Sequence, residues 1–208
     1  MSTETWNRFT IGDPVNTPDG KMGGRIWDPL VPELRPHAKS VFSPTLGDEH
    51  AHDLTDHVNQ ICSLVVDNDL HDVVFAAHSY GGMVITEVAA RHAGRVRGMV
   101  YVDAALPDPG QSLFDIIESG GSDPLSFPGL EAAPPYIEKL WFDPSQLTSI
   151  PKCYVRCTES EFAPVTNVAK PKIACHYARE SWTYLELPSW HVPMANMPLR
   201  VSEILLSM

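Results

Sequence analysis

Basic residues are scarce in this sequence: 15 lysines and arginines stand against 26 aspartates and glutamates, for a formal net charge of -11. Nucleic acids and anionic membrane surfaces attract the opposite balance, so neither is expected as a partner. No apolar stretch approaches the ~20 residues that cross a bilayer. Met1–Thr10 is polar and lacks the apolar core of a secretory leader, which places the expected location in the cytoplasm. Cysteine is sparse too. Cys62, Cys153, Cys157 and Cys175 include no CxxC pair and read as reduced thiols. Cys153 and Cys157, four residues apart in a predicted strand, fall on one face, where core packing accounts for them. Repeats and low-complexity segments are absent.

Two apparent ligand motifs fail on spacing. Gly81-Gly82 is not followed by a lysine where a nucleotide loop needs one. His50, His52, Asp53 and His57 suggest a metal cluster, but a His-x-His-x-Asp-His site requires an aspartate where Leu54 stands. These residues read as a solvated loop leading into a helix. No metal and no cofactor is expected.

What is present is an ordinary globular composition, 43% apolar and 20% charged over 208 residues, enough for one domain with a sizeable core. Strand-like runs at Arg8–Ile11, Ser40–Ser43, Val73–Ala77, Val96–Val102, Lys152–Cys157 and Thr183–Leu187 alternate with helical patterns. The helices are predicted at Trp27–Leu34, Leu54–Val66 (capped by Asp53), Gly82–His92, from Pro164 to Ala169, and Pro193–Ser207. Prolines number 19, and six of them fall in Asp123–Pro151, so residues 111–149 read as an irregular insert. Its Phe114, Phe127, Tyr136, Trp141 and Phe142 suit a lid over a pocket or packing on the core. Alternation with one insert implies a mostly parallel, doubly wound sheet whose ligands sit beyond the carboxyl ends of the strands.

The most informative run is Val73-Val-Phe-Ala-Ala77-His-Ser79-Tyr-Gly81-Gly-Met83. A buried strand passes through a tight turn straight into a helix. Ser79 stands at the apex with its hydroxyl pushed clear of the backbone, beside a helix N-terminus whose free N–H groups can hold an oxyanion. Ala77 and Gly81 are small, as the close passage of strand and helix demands.

A serine hydroxyl needs a base, and histidine suits neutral pH. His191, just after the last strand, is placed to lean over Ser79, whereas the side chain of adjacent His78 points away from it and reads as packing. The third member is a carboxylate that orients His191. Asp103, at the end of the Val96–Val102 strand, is preferred. Glu159 and Glu161, in a looser loop after the next strand, stay open. The oxyanion donors expected are the backbone N–H of Tyr80 and one from the first loop near Gly12 and Asp13; Pro14 removes a possible donor there.

With these residues in place, the chain resembles the α/β-hydrolase superfamily, and within it small bacterial esterase-like members related to plant methyl esterases and hydroxynitrile lyases. The elbow at Ala77–Met83, the helix after the oxyanion loop at Gly24–Leu34, the lid entry at Val100–Leu113 and the histidine loop Ser189-Trp-His191 carry the likeness. The resemblance implies an α/β-hydrolase fold in one domain, residues 1–208, with a short lid at about 111–149. It also implies Ser79 as nucleophile and His191 as base. In many relatives the acid follows the penultimate strand; here Ser160 takes that place, with Glu161 one step off. The first loop, Ile11-Gly12-Asp13-Pro14, also departs from the usual His-Gly or Pro-Gly. The expected function is hydrolysis of a small, largely apolar carboxylic ester or lactone. A lyase on the same frame and a non-catalytic binding member are the alternatives. A small molecule is the expected partner, and the sequence leaves monomer and homodimer open.

Overall fold

In the strand Val73–His78 every residue is buried, and successive side chains enter different cores. Val73, Phe75 and Ala77 join one apolar cluster, Val74 and Ala76 the other. This is the signature of a sheet covered on both faces, and it is why the run carries no polar alternation. The computed structural model describes residues 23–127, 129–175 and 181–208, together with residues 6–11, where (as at 175) only the backbone is described.

Six strands form one sheet: β1 (Trp6–Ile11), β2 (Ala38–Phe42), β3 (Val73–His78), β4 (Val96–Val102), β5 (Lys152–Cys157) and β6 (Trp182–Leu187). Their order is β2-β1-β3-β4-β5-β6 and every pairing is parallel. The register aligns the carboxyl ends: His78 lies opposite Val102, Val102 opposite Val155, and Cys157 opposite Leu187. Residues just beyond β3, β4 and β6 are thereby brought to one edge. Strand order reverses at β1, the switch point where such sheets open a crevice.

On one face pack α1 (Leu54–Asp67) and α2 (Gly81–Arg91). Leu54, Val58, Ile61 and Val65 form the buried stripe of α1, and each such side chain contributes about 1.5–3 kcal/mol. Asp53 caps α1 in a capping box with Asp56. The other face is covered by the turn Gly23–Leu30, by α5 (Pro198–Leu206), and by Trp27, Leu30 and Leu34, all buried. The predicted closing helix Pro193–Ser207 is in fact two: a turn at Pro193–Asn196, then α5. Pro198 cannot donate the hydrogen bond that would continue the first.

Residues 111–149 hold α3 (Leu113–Ser119) and one-turn segments at Pro124–Ser126, Pro134–Ile137 and Pro144–Leu147. The insert is tied down far along the chain. Glu138 accepts hydrogen bonds from the backbone N–H of Thr55 (3.0 Å) and its hydroxyl (2.6 Å), and Tyr136 donates to buried Glu49. After β5 a turn at Ala163–Thr166 leads to α4 (Ala169–Cys175). Cys153 and Cys157 are buried free thiols, pushed by burial up to about 11 and about 12, so both stay protonated.

Close packing of α2 against the loop after β4 depends on Gly82. A Cβ there would lie 2.1 Å from the Ala105 carbonyl oxygen, a backbone atom. Gly82→Ala is expected to destabilise the protein by about 3 kcal/mol, the upper end of an overpacking cost. A urea midpoint equal to wild type would contradict this contact.

Candidate active site

β3 ends at His78 and α2 begins at Gly81, so two residues reverse the chain. Ser79 does so at φ 53°, a conformation rare outside glycine. It is held there by its carbonyl, which accepts from the N–H of Gly82 (3.3 Å) and of Ala105 (2.9 Å). One strand over, Asp103 leaves β4 through the same left-handed turn, at φ 46°, with its N–H donating to Val155 O at 2.7 Å. Aspartate tolerates that conformation better than most residues. Two neighbouring strand ends thus present a serine and an aspartate in equivalent positions.

The Asp103 carboxylate is wholly buried. Its Oδ1 accepts from the Cys157 N–H at 2.9 Å, and its Oδ2 accepts from His191 Nδ1 at 2.7 Å and from the Ser160 hydroxyl at 2.5 Å. Three converging donors are what an acceptor-only group requires away from water. Ser160 accepts in turn from the Phe162 N–H at 3.0 Å.

His191 lies four residues beyond β6 and is fixed from several sides. The His78 ring donates from Nε2 to the His191 carbonyl at 2.8 Å, and the two rings are 4.3 Å apart. Phe162 packs against the other side at 4.7 Å. Ser189 braces the loop by donating to Trp190 O (2.9 Å) and Asn196 Oδ1 (2.8 Å). Burial, then the neighbouring His191, hold the His78 ring well below the usual histidine range. It stays neutral and places no charge beside His191. With Nδ1 of His191 committed to Asp103, Nε2 is the nitrogen left for the cavity.

That cavity, about 240 Å³, is lined by both Ser79 and His191. Its remaining wall is mainly apolar and aromatic: Tyr80, Leu113, Phe127, Leu130, Tyr136 and Phe162, with Glu161. It falls below the ~300–1,000 Å³ of drug-sized sites, so a small ligand fits it. Of the insert aromatics named from sequence, Phe127 and Tyr136 face the cavity, Phe114 and Phe142 pack on the core, and Trp141 is exposed.

The structure therefore brings Ser79, His191 and Asp103 to one edge, with the Tyr80 N–H at the start of α2. Glu159 and Glu161 are exposed and do not bond the imidazole; Glu161 reaches the cavity instead. Asp13, Gly12 and Pro14 lie outside the described residues. Ser160, standing where relatives commonly carry an aspartate, donates to Asp103, a contact that the sequence pattern does not signal.

His57 lies within the predicted helix, but its solvated character is corrected. It is not part of a solvated loop but fully buried on α1, bonding Gly47 O through Nε2 (3.1 Å) and Tyr80 OH through Nδ1 (3.1 Å). The carbonyl can only accept, so Nε2 carries the proton and the Tyr80 hydroxyl donates to Nδ1. Burial lowers the His57 pKa, consistent with a neutral ring that buttresses Tyr80 from below. His50 and His52 are exposed, and no metal-binding group of side chains occurs among the described residues.

Comparison with known proteins follows the geometry. A family model described as "Alpha/beta hydrolase family" matches residues 17–203. A 104-residue stretch is 36% identical to a carbendazim hydrolyzing esterase of Nocardioides sp. (strain SG-4G), covering 46% of this chain and 43% of that protein. The match thus spans less than half the length of that relative. Among solved structures, an extracellular alpha/beta-hydrolase from a Paenibacillus species, described as sharing structural and functional homology with tobacco salicylic acid binding protein 2, superposes with TM-score 0.75. It is 20% identical, over 97% of this chain and 98% of that one. A pyrethroid hydrolase from Sphingobium faniae JZ-2 gives 0.73 at 17% identity, over 98% and 96%. At such identities the structural likenesses concern the fold alone. No described helix is long and apolar enough to cross a membrane.

Proposed function

The chain belongs to the alpha/beta hydrolase family, and we propose that within it this protein is a cofactor-free serine hydrolase of small, largely apolar carboxylic esters or lactones. The observation that carries the proposal is the 2.7 Å contact between His191 Nδ1 and buried Asp103, made by the histidine that shares a cavity wall with Ser79. The relative that hydrolyses carbendazim supports an esterase reading.

In the proposed mechanism Asp103 accepts a hydrogen bond from Nδ1–H of His191, which holds the tautomer in which Nε2 is free to act as a base. His191 Nε2 takes the hydroxyl proton of Ser79 as its oxygen attacks the ester carbonyl. The resulting imidazolium is stabilised by the adjacent carboxylate. The tetrahedral oxyanion is held by the Tyr80 N–H, at the electropositive start of α2, with a second donor expected at Asp13 in the first loop. His191 then protonates the departing alcohol, leaving an acyl group on Ser79. Water, deprotonated by the same imidazole, attacks that acyl group; the bond to Ser79 breaks as the imidazolium returns its proton to the serine oxygen, and the acid is released. Ser160 is a positioning residue here. Its hydroxyl fixes Oδ2 of Asp103 and so the angle at which the carboxylate meets the ring.

In this reading the chain is a single domain in which residues 111–149 serve as the lid, setting substrate size through the cavity-lining Leu113, Phe127 and Tyr136. The purified protein is expected to release para-nitrophenol from para-nitrophenyl acetate with saturation, at a rate unchanged by a metal chelator. Absence of ester turnover, with cleavage of a cyanohydrin in its place, would replace this reading with a lyase on the same frame. Failure on both would contradict catalysis at this site.

A further inference from the structure

Among the cavity-lining groups, Glu161 is a carboxylate that the proposed chemistry does not use. The tyrosine hydroxyls of the wall are engaged elsewhere, Tyr80 with His57 and Tyr136 with Glu49. Ser79 and His191 are assigned to the ester carbonyl and its proton. Among the described residues, Glu161 is therefore the polar side chain of the lining left to meet the rest of the substrate. It makes no hydrogen bond or ion pair with any other described residue, and none of the described residues lining the cavity is a lysine or an arginine.

Its place relative to the reaction centre is fixed by its neighbours. Ser160 is bound to Asp103 at 2.5 Å, and the Phe162 N–H returns to Ser160 at 3.0 Å while its ring packs on His191. The Glu161 backbone is thus pinned on both sides against the catalytic pair, so its carboxylate cannot drift far from the cavity wall. Phe162 and Phe127 meet edge to face at 6.1 Å and add aromatic surface to the same wall. A carboxylate with no partner among the described residues, beside aromatic faces, is the environment that recognises an ammonium group, through charge and through cation–π attraction.

We propose that Glu161 makes the cavity select small esters bearing a protonated amine over neutral esters of the same shape, and reject anionic ones. The inference rests on the esterase reading above. Three aryl acetates of matched size separate the cases: para-(dimethylaminomethyl)phenyl acetate is cationic, para-isobutylphenyl acetate is its neutral isostere, and para-(carboxymethyl)phenyl acetate is anionic.

The wild-type protein is expected to favour the cation over the isostere by about tenfold in kcat/KM, with the anion slowest. Added salt of about 1 M should narrow that ratio, because the carboxylate is exposed. Glu161→Gln should bring it close to one, whereas Glu159→Gln, on the same loop but off the cavity, should keep it. An unchanged ratio in Glu161→Gln, or a wild-type ratio near one, overturns the proposal. If no ester is cleaved, the esterase reading fails by itself. The charge preference is then decided by calorimetric binding of the two corresponding phenols, cationic and neutral, to the wild type and to Glu161→Gln, with the same ratio as criterion.

Discussion

Ser79→Ala is expected to lower kcat/KM on para-nitrophenyl acetate by roughly 10⁴–10⁶-fold, the range seen when a serine nucleophile that works as a unit with its base is removed. The substitution deletes one oxygen from a residue whose backbone is held by Gly82 and Ala105, so the turn at φ 53° has the same supports in the variant. His191 and Asp103 keep their 2.7 Å contact but have no hydroxyl to activate. Loss of rate with a circular-dichroism spectrum and melting temperature close to wild type would separate lost chemistry from lost fold. A residual rate within tenfold of wild type would remove Ser79 from the mechanism.

Asp103→Asn should cost roughly 10³–10⁴-fold in kcat/KM. The replacement is isosteric, and the Cys157 N–H can still donate to the amide oxygen at the Oδ1 position, whereas the Ser160 hydroxyl, which met Oδ2, must turn to accept from the amide. The other arm becomes an N–H donor facing His191 Nδ1. That reverses the tautomer: Nδ1 accepts, Nε2 carries the proton, and the ring can no longer take one from Ser79. The imidazolium also loses its counter-charge. Glu159→Gln is expected to stay within about twofold of wild type, since Glu159 stands apart from the imidazole. Were Asp103→Asn to retain more than a tenth of wild-type activity, the acid would have to be sought elsewhere. These two variants act on different strand ends, yet their effects should not multiply, because each disables the same proton transfer.

The elbow was readable from sequence because its determinants are local. A continuous apolar strand, small residues at Ala77 and Gly81, and an immediate helix lie within eleven consecutive positions. The choice among Asp103, Glu159 and Glu161 was less legible. It depends on the register of β3, β4 and β5, and on Asp103 adopting a positive φ that no neighbouring residue signals. Ser160 stands in the position where an aspartate is common in relatives. Here that loop position supplies a donor to the acid instead of the acid.

His57 could have been found. It falls three residues after Leu54 and four before Ile61 on the buried stripe of α1, a spacing that excludes a solvated loop. The insert was illegible for a different reason. Its supports, Thr55 with Glu138 and Glu49 with Tyr136, join positions 83 and 87 residues apart, and no short-range pattern encodes them. A first loop that departs from the family pattern was legible as a departure, and the Tyr80 N–H is the donor we propose for the oxyanion among the described residues.

The central claim is that the hydroxyl at position 79 becomes covalently acylated during turnover. A fluorophosphonate probe reacts with such an activated serine and leaves a stable adduct whose position can be read by peptide mass spectrometry. The account predicts one adduct per chain, on the peptide carrying Ser79, absent from Ser79→Ala and formed far more slowly by Asp103→Asn. An adduct on another serine, or labelling of Ser79→Ala at the wild-type rate, would contradict it.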